Sequence, residues 1–205
     1  MDNELLFNNK YRIPSARLKG WDYREAANYF VTICTKNREH FFGQIENKQM
    51  ILNDLGNIAQ HCWDETPKHF PFVELINFVV MPNHVHGLLY LRGADENMDD
   101  LDNKSIITDA VSSGNDVETL HATSLPLPQT KNEKMASISP KKYSLASVMR
   151  SYTSAVTNFA NKNKLPNGWQ ERYHDHIVRN QEEFNRINNY ITTNPVNWEN
   201  DKFHK

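Results

Sequence analysis

The chain has 205 residues and a mass of 23.9 kDa, the size of one domain or of one domain with an appendage. Only 39% of it is hydrophobic, mean hydropathy is −0.71, and no run approaches the roughly 18 to 20 apolar residues of a spanning helix, which excludes a protein built on such helices. The amino terminus, MDNELLFNNKYR, is polar and lacks the apolar core of a signal sequence, so the expectation is a soluble, cytoplasmic protein. Cys34 and Cys62 are too few for a disulfide framework and lack zinc-site spacing, and they read as buried small hydrophobes.

In chain order, Tyr29 to Thr35 is a β-branched and aromatic run that predicts a strand. A helix is expected next, with apolar positions near Met50, Leu52, Ile58 and Trp63, interrupted by Gly56. Phe72 to Val80 and His84 to Leu91 flank Met81-Pro82-Asn83 and predict two antiparallel strands of a hairpin. The stretch from about 92 to 142 has no sustained apolar period and reads as a flexible insertion into a single domain. Beyond it, Leu145, Val148, Met149, Tyr152, Val156 and Phe159 recur at helical spacing, Tyr173 to Arg179 is a short strand, and Glu182 to Thr193 is a helix stopped near Pro195. This order predicts an α+β fold, a largely antiparallel sheet with helices packed on it.

Charge divides along the same boundary. Between Ala94 and Thr130 eight acids stand against Lys104 alone, a net of −7, so the rest of a chain of net −2 carries +5. A mildly basic body is compatible with a nucleic-acid partner. The acidic segment is open to three readings: an inert linker, a partner-binding segment, or an electrostatic mimic competing with DNA.

Strand alternation places His84 and His86 on one sheet face and Val85 on the other. Two neutral imidazoles on a rigid strand make a clamp for a divalent metal, and two partly buried strand histidines are the ordinary alternative. His174-Asp175-His176 repeats the spacing with a charged centre, which suits a half-exposed strand. His174 reads as a surface residue, and His176 as a supporting group behind the ligands or a structural one. Among eight tyrosines, Tyr29 and Tyr90 read as strand packing residues and Tyr152 as core. Tyr190 differs: Phe184, Ile187 and Ile191 mark a buried helical stripe, and Tyr190 and Asn194 lie one turn apart on its flank, where a phenol can reach a cleft. An amphipathic edge tyrosine is its plain alternative. Lys10, Arg12, Arg17, Lys19 and Arg24, interleaved with Tyr11, Trp21 and Tyr23, have the composition of a single-strand DNA contact. The same residues also fit a solvated arm whose aromatics cap the sheet. Arg150 and Arg179 are weaker phosphate-contact candidates.

Together, Arg17-Leu-Lys-Gly-Trp-Asp-Tyr23, Tyr29 to Thr35, Val79-Val-Met-Pro-Asn-His-Val-His86, Trp169-Gln170, Asp175-His-Ile-Val-Arg-Asn180 and Tyr190-Ile-Thr-Thr-Asn-Pro195 resemble the IS200-like transposases, and most closely the REP-associated tyrosine transposases. The resemblance spans the chain except its first ten residues and the acidic insertion. It implies a ferredoxin-like or RRM-like HUH nuclease fold and a single-strand DNA endonuclease and strand transferase of the Y1 type. His84 and His86 match its metal ligands, Tyr190 its catalytic tyrosine, and Asn194 the third-ligand position, which is a glutamine in the insertion-sequence enzymes. The implied cofactor is Mg²⁺ or Mn²⁺, with the softer ion favoured by two imidazoles and one amide oxygen. A phenol with pKa near 10 needs such help to attack a phosphate. The implied partner is single-stranded DNA bearing a REP-like or transposon-end hairpin, bound by a monomer or homodimer in the bacterial cytoplasm or nucleoid, with Arg12, Arg17, Lys19, Trp21, Tyr23 and Arg179 as DNA contacts. Two other readings stay open: a domesticated hairpin-binding protein with little cleavage activity, and a metal hydrolase of small phosphoesters.

Overall fold

A computed structural model describes residues 17–93 and 140–204, together with the backbone of two short paired strands, β1 (Leu6–Phe7) and β2 (Lys10–Tyr11). The acidic run between Ala94 and Thr130, and Arg12, lie outside the described residues.

Four strands form the central sheet: β3 (Ala27–Cys34), β6 (Val73–Met81), β7 (His84–Leu91) and β8 (His174–Val178). Their spatial order is β6-β7-β3-β8, and every neighbouring pair is antiparallel. Helices α1 (Asp54–Asp64) and α2 (Thr66–His69) connect β3 to β6, α3 (Leu145–Lys162) connects β7 to β8, and α4 (Gln181–Thr193) follows β8. Strand, helix, two strands, helix, strand in this order is the ferredoxin-like arrangement that the family resemblance implies. No helix among the described residues is long and apolar enough to cross a membrane.

Strand alternation divides the sheet into two faces. Tyr29, Val31, Ile33, Val85, Leu89 and Leu91 point into the main core, against Leu55, Ala59 and Trp63 of α1 and Leu145, Val148, Met149, Tyr152 and Val156 of α3. The buried stripe expected for the helix after the insertion is therefore present, with Phe159 half-buried at its edge. The opposite face carries a smaller core in which Leu88 and Val178 meet Ile187 and Ile191 of α4. Burying each of those isoleucines is worth about 1.5–3 kcal/mol, which seats α4 across the strands that bear the histidines. Asn77, at a bulge in β6, adds an anchor by donating to Asn188 Oδ1 at 2.7 Å and Thr192 Oγ1 at 3.0 Å.

One predicted element is corrected. Met50 and Leu52 belong to a strand, β5 (Gln49–Leu52), paired with β4 (Gly43–Glu46). The reversal passes through Asn47 and Lys48, both at positive φ (50° and 64°), the backbone of a two-residue hairpin turn. The helix starts only after Asn53, whose side chain accepts from the Gly56 amide at 2.9 Å as an N-cap. Gly56 does not weaken that helix so much as admit it: any side chain there would collide with the Phe42 carbonyl.

Candidate active site

His84 and His86 open β7 and project from the α4 face of the sheet, with 0% and 1% of their surface exposed. Their Nε2 atoms are 3.1 Å apart. The hairpin turn before them fixes one of the rings. Asn83 Nδ2 donates to the carbonyls of Arg38 (3.2 Å) and Phe203 (2.9 Å), so Asn83 Oδ1 faces His84 Nδ1 at 2.8 Å. An oxygen there demands a proton on Nδ1, and neutral His84 then carries a bare lone pair on Nε2. His86 Nδ1 pairs with Thr32 Oγ1 at 2.8 Å. Burial holds both imidazoles neutral: His84 is pushed down to about 3, and His86 lies well below 6.5, where the neighbouring His84 adds to the effect.

Tyr190 and Asn194 reach the same place from α4. The Tyr190 hydroxyl lies 3.2 Å from His86 Nε2 and donates to Asp201 Oδ2 at 3.1 Å. Burial, then the Asp201 charge, pushes the phenol well above its ordinary value of 10, so it rests protonated. Asn194 caps α4 in helical geometry (φ −56°, ψ −45°) despite preceding Pro195. Its Nδ2 donates to Asp201 Oδ2 at 2.9 Å, while its Oδ1 is buried with no hydrogen-bond partner among the described residues.

The carboxyl-terminal segment closes the site, and sequence reasoning did not find it. Asp201 Oδ1 accepts from the Phe203 amide at 2.6 Å, and Phe203 packs on His84 with ring centroids 4.6 Å apart. Among the described residues, His84, His86 and Asp201 form the one group of three histidine, cysteine or acidic side chains whose ligand atoms all lie within 4.8 Å of one another. A bare histidine nitrogen, a second imidazole beside it and an orphaned amide oxygen form a donor set that fits a borderline divalent ion. The residues that could hold it are His84 and His86, with Asp201 or Asn194.

His86, Tyr190 and Asp201 border a cavity of about 830 Å³, which Phe30, Tyr173 and Phe203 line together with Arg38, Arg172, Arg186 and Lys202. The four cations were not singled out in the sequence, because they are scattered over a loop, the approach to β8, α4 and the carboxyl terminus. His174 and His176 of the edge strand β8 also line it. His174 is exposed, and His176 bonds Glu183 at 2.8 Å rather than either buried histidine. The side chain of Asp175 turns to the other face, 3.9 Å from Arg17.

The amino-terminal candidates stand apart from this cavity. Tyr23 is buried against Tyr29, its hydroxyl accepting from the Leu18 amide, so its ring offers no face to a base. Trp21 donates to the Tyr29 hydroxyl at 3.0 Å. The Arg17 guanidinium sits over the Tyr23 and Tyr173 rings and donates to the Tyr173 hydroxyl. The contacts of these three are internal to the chain. Lys19 and Arg179 are exposed, and Arg179 donates its amide to Glu183.

An uncharacterized protein of Haemophilus influenzae is 37% identical over 191 residues, covering 93% of this chain and 92% of its own length. The chain belongs to the family of that Haemophilus protein. No protein-family model matches the chain. The fold of this family member is shared with a solved REP-associated tyrosine transposase bound to a REP hairpin, at a TM-score of 0.51 and 16% identity, over 91% of this chain and 74% of the other.

Proposed function

We propose that this protein is a transposase-type enzyme: a metal-dependent, single-strand DNA endonuclease and strand transferase that acts on hairpin-bearing DNA through a 5′-phosphotyrosine. The observation that carries the reading is the meeting of the Tyr190 hydroxyl with His86 Nε2 at 3.2 Å, between residues 104 positions apart. Hairpin DNA is brought to this chain from the REP-associated transposase that shares its fold. The arginines and Lys202 around the cavity support a polyanionic substrate.

In this account the cavity wall of Arg38, Arg172, Arg186 and Lys202 holds the strand and offsets its charge. Asn83 and Thr32 orient His84 and His86 through their Nδ1 atoms, and burial keeps both rings neutral. His84, His86 and Asn194 would hold a divalent cation, Mg²⁺ or Mn²⁺, which would supply Lewis-acid polarisation of the phosphate. Tyr190 bonds to phosphorus and the 3′-oxygen departs, leaving a 3′-hydroxyl and a covalent 5′-phosphotyrosine. The phosphodiester energy stays in that link, so a 3′-hydroxyl can attack it and rejoin strands. The packing of the Tyr190 ring against Phe30 (centroids 6.2 Å) and His86 (5.1 Å) limits where the phenol can point.

The test is end analysis of the cleaved strand. A hairpin oligonucleotide with single-stranded flanks, incubated with Mn²⁺, is expected to yield an upstream fragment that a polymerase extends and a downstream fragment whose 5′ end resists labelling until protease, phosphodiesterase and then phosphatase treatment. A downstream fragment with a free 5′-phosphate would point to hydrolysis and overturn the reading. Specific hairpin binding without cleavage would favour the domesticated binding protein.

A further inference from the structure

Asp201 is unexplained by a site of two histidines, one amide and one tyrosine, yet its carboxylate accepts three hydrogen bonds in the centre. Oδ1 is held by the Phe203 amide at 2.6 Å, and Oδ2 accepts both the Tyr190 hydroxyl at 3.1 Å and the Asn194 amide at 2.9 Å. The phenol therefore has two candidate proton acceptors, His86 Nε2 at 3.2 Å and Asp201 Oδ2. The imidazole offers a single lone pair at Nε2, and in the reading above that lone pair is the metal's. We infer that Asp201 is a catalytic residue, the acceptor of the Tyr190 proton during attack, and that through Asn194 Nδ2 it also holds the amide oxygen free for the metal.

This inference rests on the strand-transfer reading and deepens it. As Tyr190 Oη bonds to phosphorus, its proton passes to Asp201 Oδ2. The bond from phosphorus to the 3′-oxygen breaks, the departing oxygen takes a proton from solvent, and Asp201 returns its own to solvent, so none is consumed. Joining runs the same transfers backwards. The Tyr190 and Asn194 donors occupy both lone pairs of Oδ2, so direct ligation would fall to the remaining lone pair of Oδ1, whereas Oδ2 already receives the Tyr190 hydroxyl. Arg38 and Lys202, which line the same cavity, temper the carboxylate charge that an approaching phosphate meets.

Asp201→Asn preserves shape and removes the acceptor, and Asp201→Glu restores a carboxylate one methylene further out. Three quantities separate the roles: Mn²⁺ affinity from the electron paramagnetic signal of free ion, hairpin binding by fluorescence anisotropy, and the single-turnover adduct rate against pH. The expected result for Asp201→Asn is a rate loss of about 10²-fold or more with Mn²⁺ and hairpin affinities within about threefold of wild type. Its rate should rise tenfold per pH unit on the alkaline side as hydroxide replaces the carboxylate, and Asp201→Glu should recover part of the loss. A rate within threefold of wild type, or a loss of Mn²⁺ affinity in step with the rate, overturns the inference, the second outcome making Asp201 a ligand. Alkaline difference spectra against Tyr190→Phe give a readout without DNA: Asp201→Asn should lower the pH at which Tyr190 ionises, and no change overturns the contact. Absence of any adduct in the wild type, with that spectral shift present, means instead that the strand-transfer reading has failed.

Discussion

Asn83 Oδ1 lies 2.8 Å from His84 Nδ1, and the Asn83 amide nitrogen is committed to two backbone carbonyls. The asparagine cannot turn over to present its nitrogen, so it dictates which nitrogen of His84 is free. Its own backbone oxygen also accepts from Thr35, through both N and Oγ1 at 2.9 Å. Asn83→Ala should lower Mn²⁺ affinity by about 10- to 100-fold, as loss of a group orienting a metal-binding histidine does. It should also destabilise the fold by about 1–3 kcal/mol through the carbonyls left unpaired. Titration of Mn²⁺ into the variant, beside urea unfolding, checks both, and unchanged affinity would contradict the tautomer argument.

Fold stability should fall in mild acid, with a sign set by the two buried histidines. In the folded chain His84 takes up a proton only near pH 3, and His86 is likewise depressed, whereas unfolded imidazoles protonate near 6.5. Their contribution is therefore complete above about pH 7 and is lost as pH drops from about 6.5 towards 3, at up to about 1.4 kcal/mol per pH unit for each ring. Urea unfolding in chelator between pH 7 and 5 measures the slope. The double substitution His84→Gln/His86→Gln should flatten it, and an unchanged slope would place the acid sensitivity elsewhere.

The glycine that ends the His-Val-His-Gly stretch serves the opposite face of the sheet. A side chain on Gly87 would meet the six-membered ring of Trp63, which stacks on Phe78 at 4.4 Å and meets Tyr152 edge-on at 5.5 Å. Gly87→Ala should cost about 1–3 kcal/mol by overpacking, and adding Trp63→Phe should recover part of it. Chemical denaturation of the single and double variants decides this. If Gly87→Ala is silent, the indole is freer to move than its stacking implies.

What was legible in the sequence was local. Alternation along one strand put His84 and His86 on a shared face, and helical spacing set Tyr190 and Asn194 beside the Ile187–Ile191 stripe; both periods survive folding because each element is regular there. Asp201 was not legible. It lies past Pro195, where the chain turns through a short 3-10 segment, Trp198–Asn200, and no periodicity links it to Tyr190. Met50 and Leu52 misled although their i, i+2 spacing is that of one side of a strand, because they run straight into the helix that starts at Asp54. The amino-terminal arginine and aromatic run admits two readings for a related reason. Guanidinium on aromatic ring is the chemistry of base and phosphate contact and equally of an internal stack, and Arg17 uses it on Tyr23 and Tyr173.

The most direct measurement is covalent capture. The protein is mixed with Mn²⁺ and 3′-labelled single-stranded hairpin oligonucleotides drawn from its own genomic flanks, denatured, and resolved beside Tyr190→Phe and His86→Ala. The account predicts a labelled, denaturation-resistant protein–DNA band that is absent from both variants, with peptide mapping placing the label on Tyr190. Cleavage that persists at full rate in Tyr190→Phe, or a label on another residue, would contradict it.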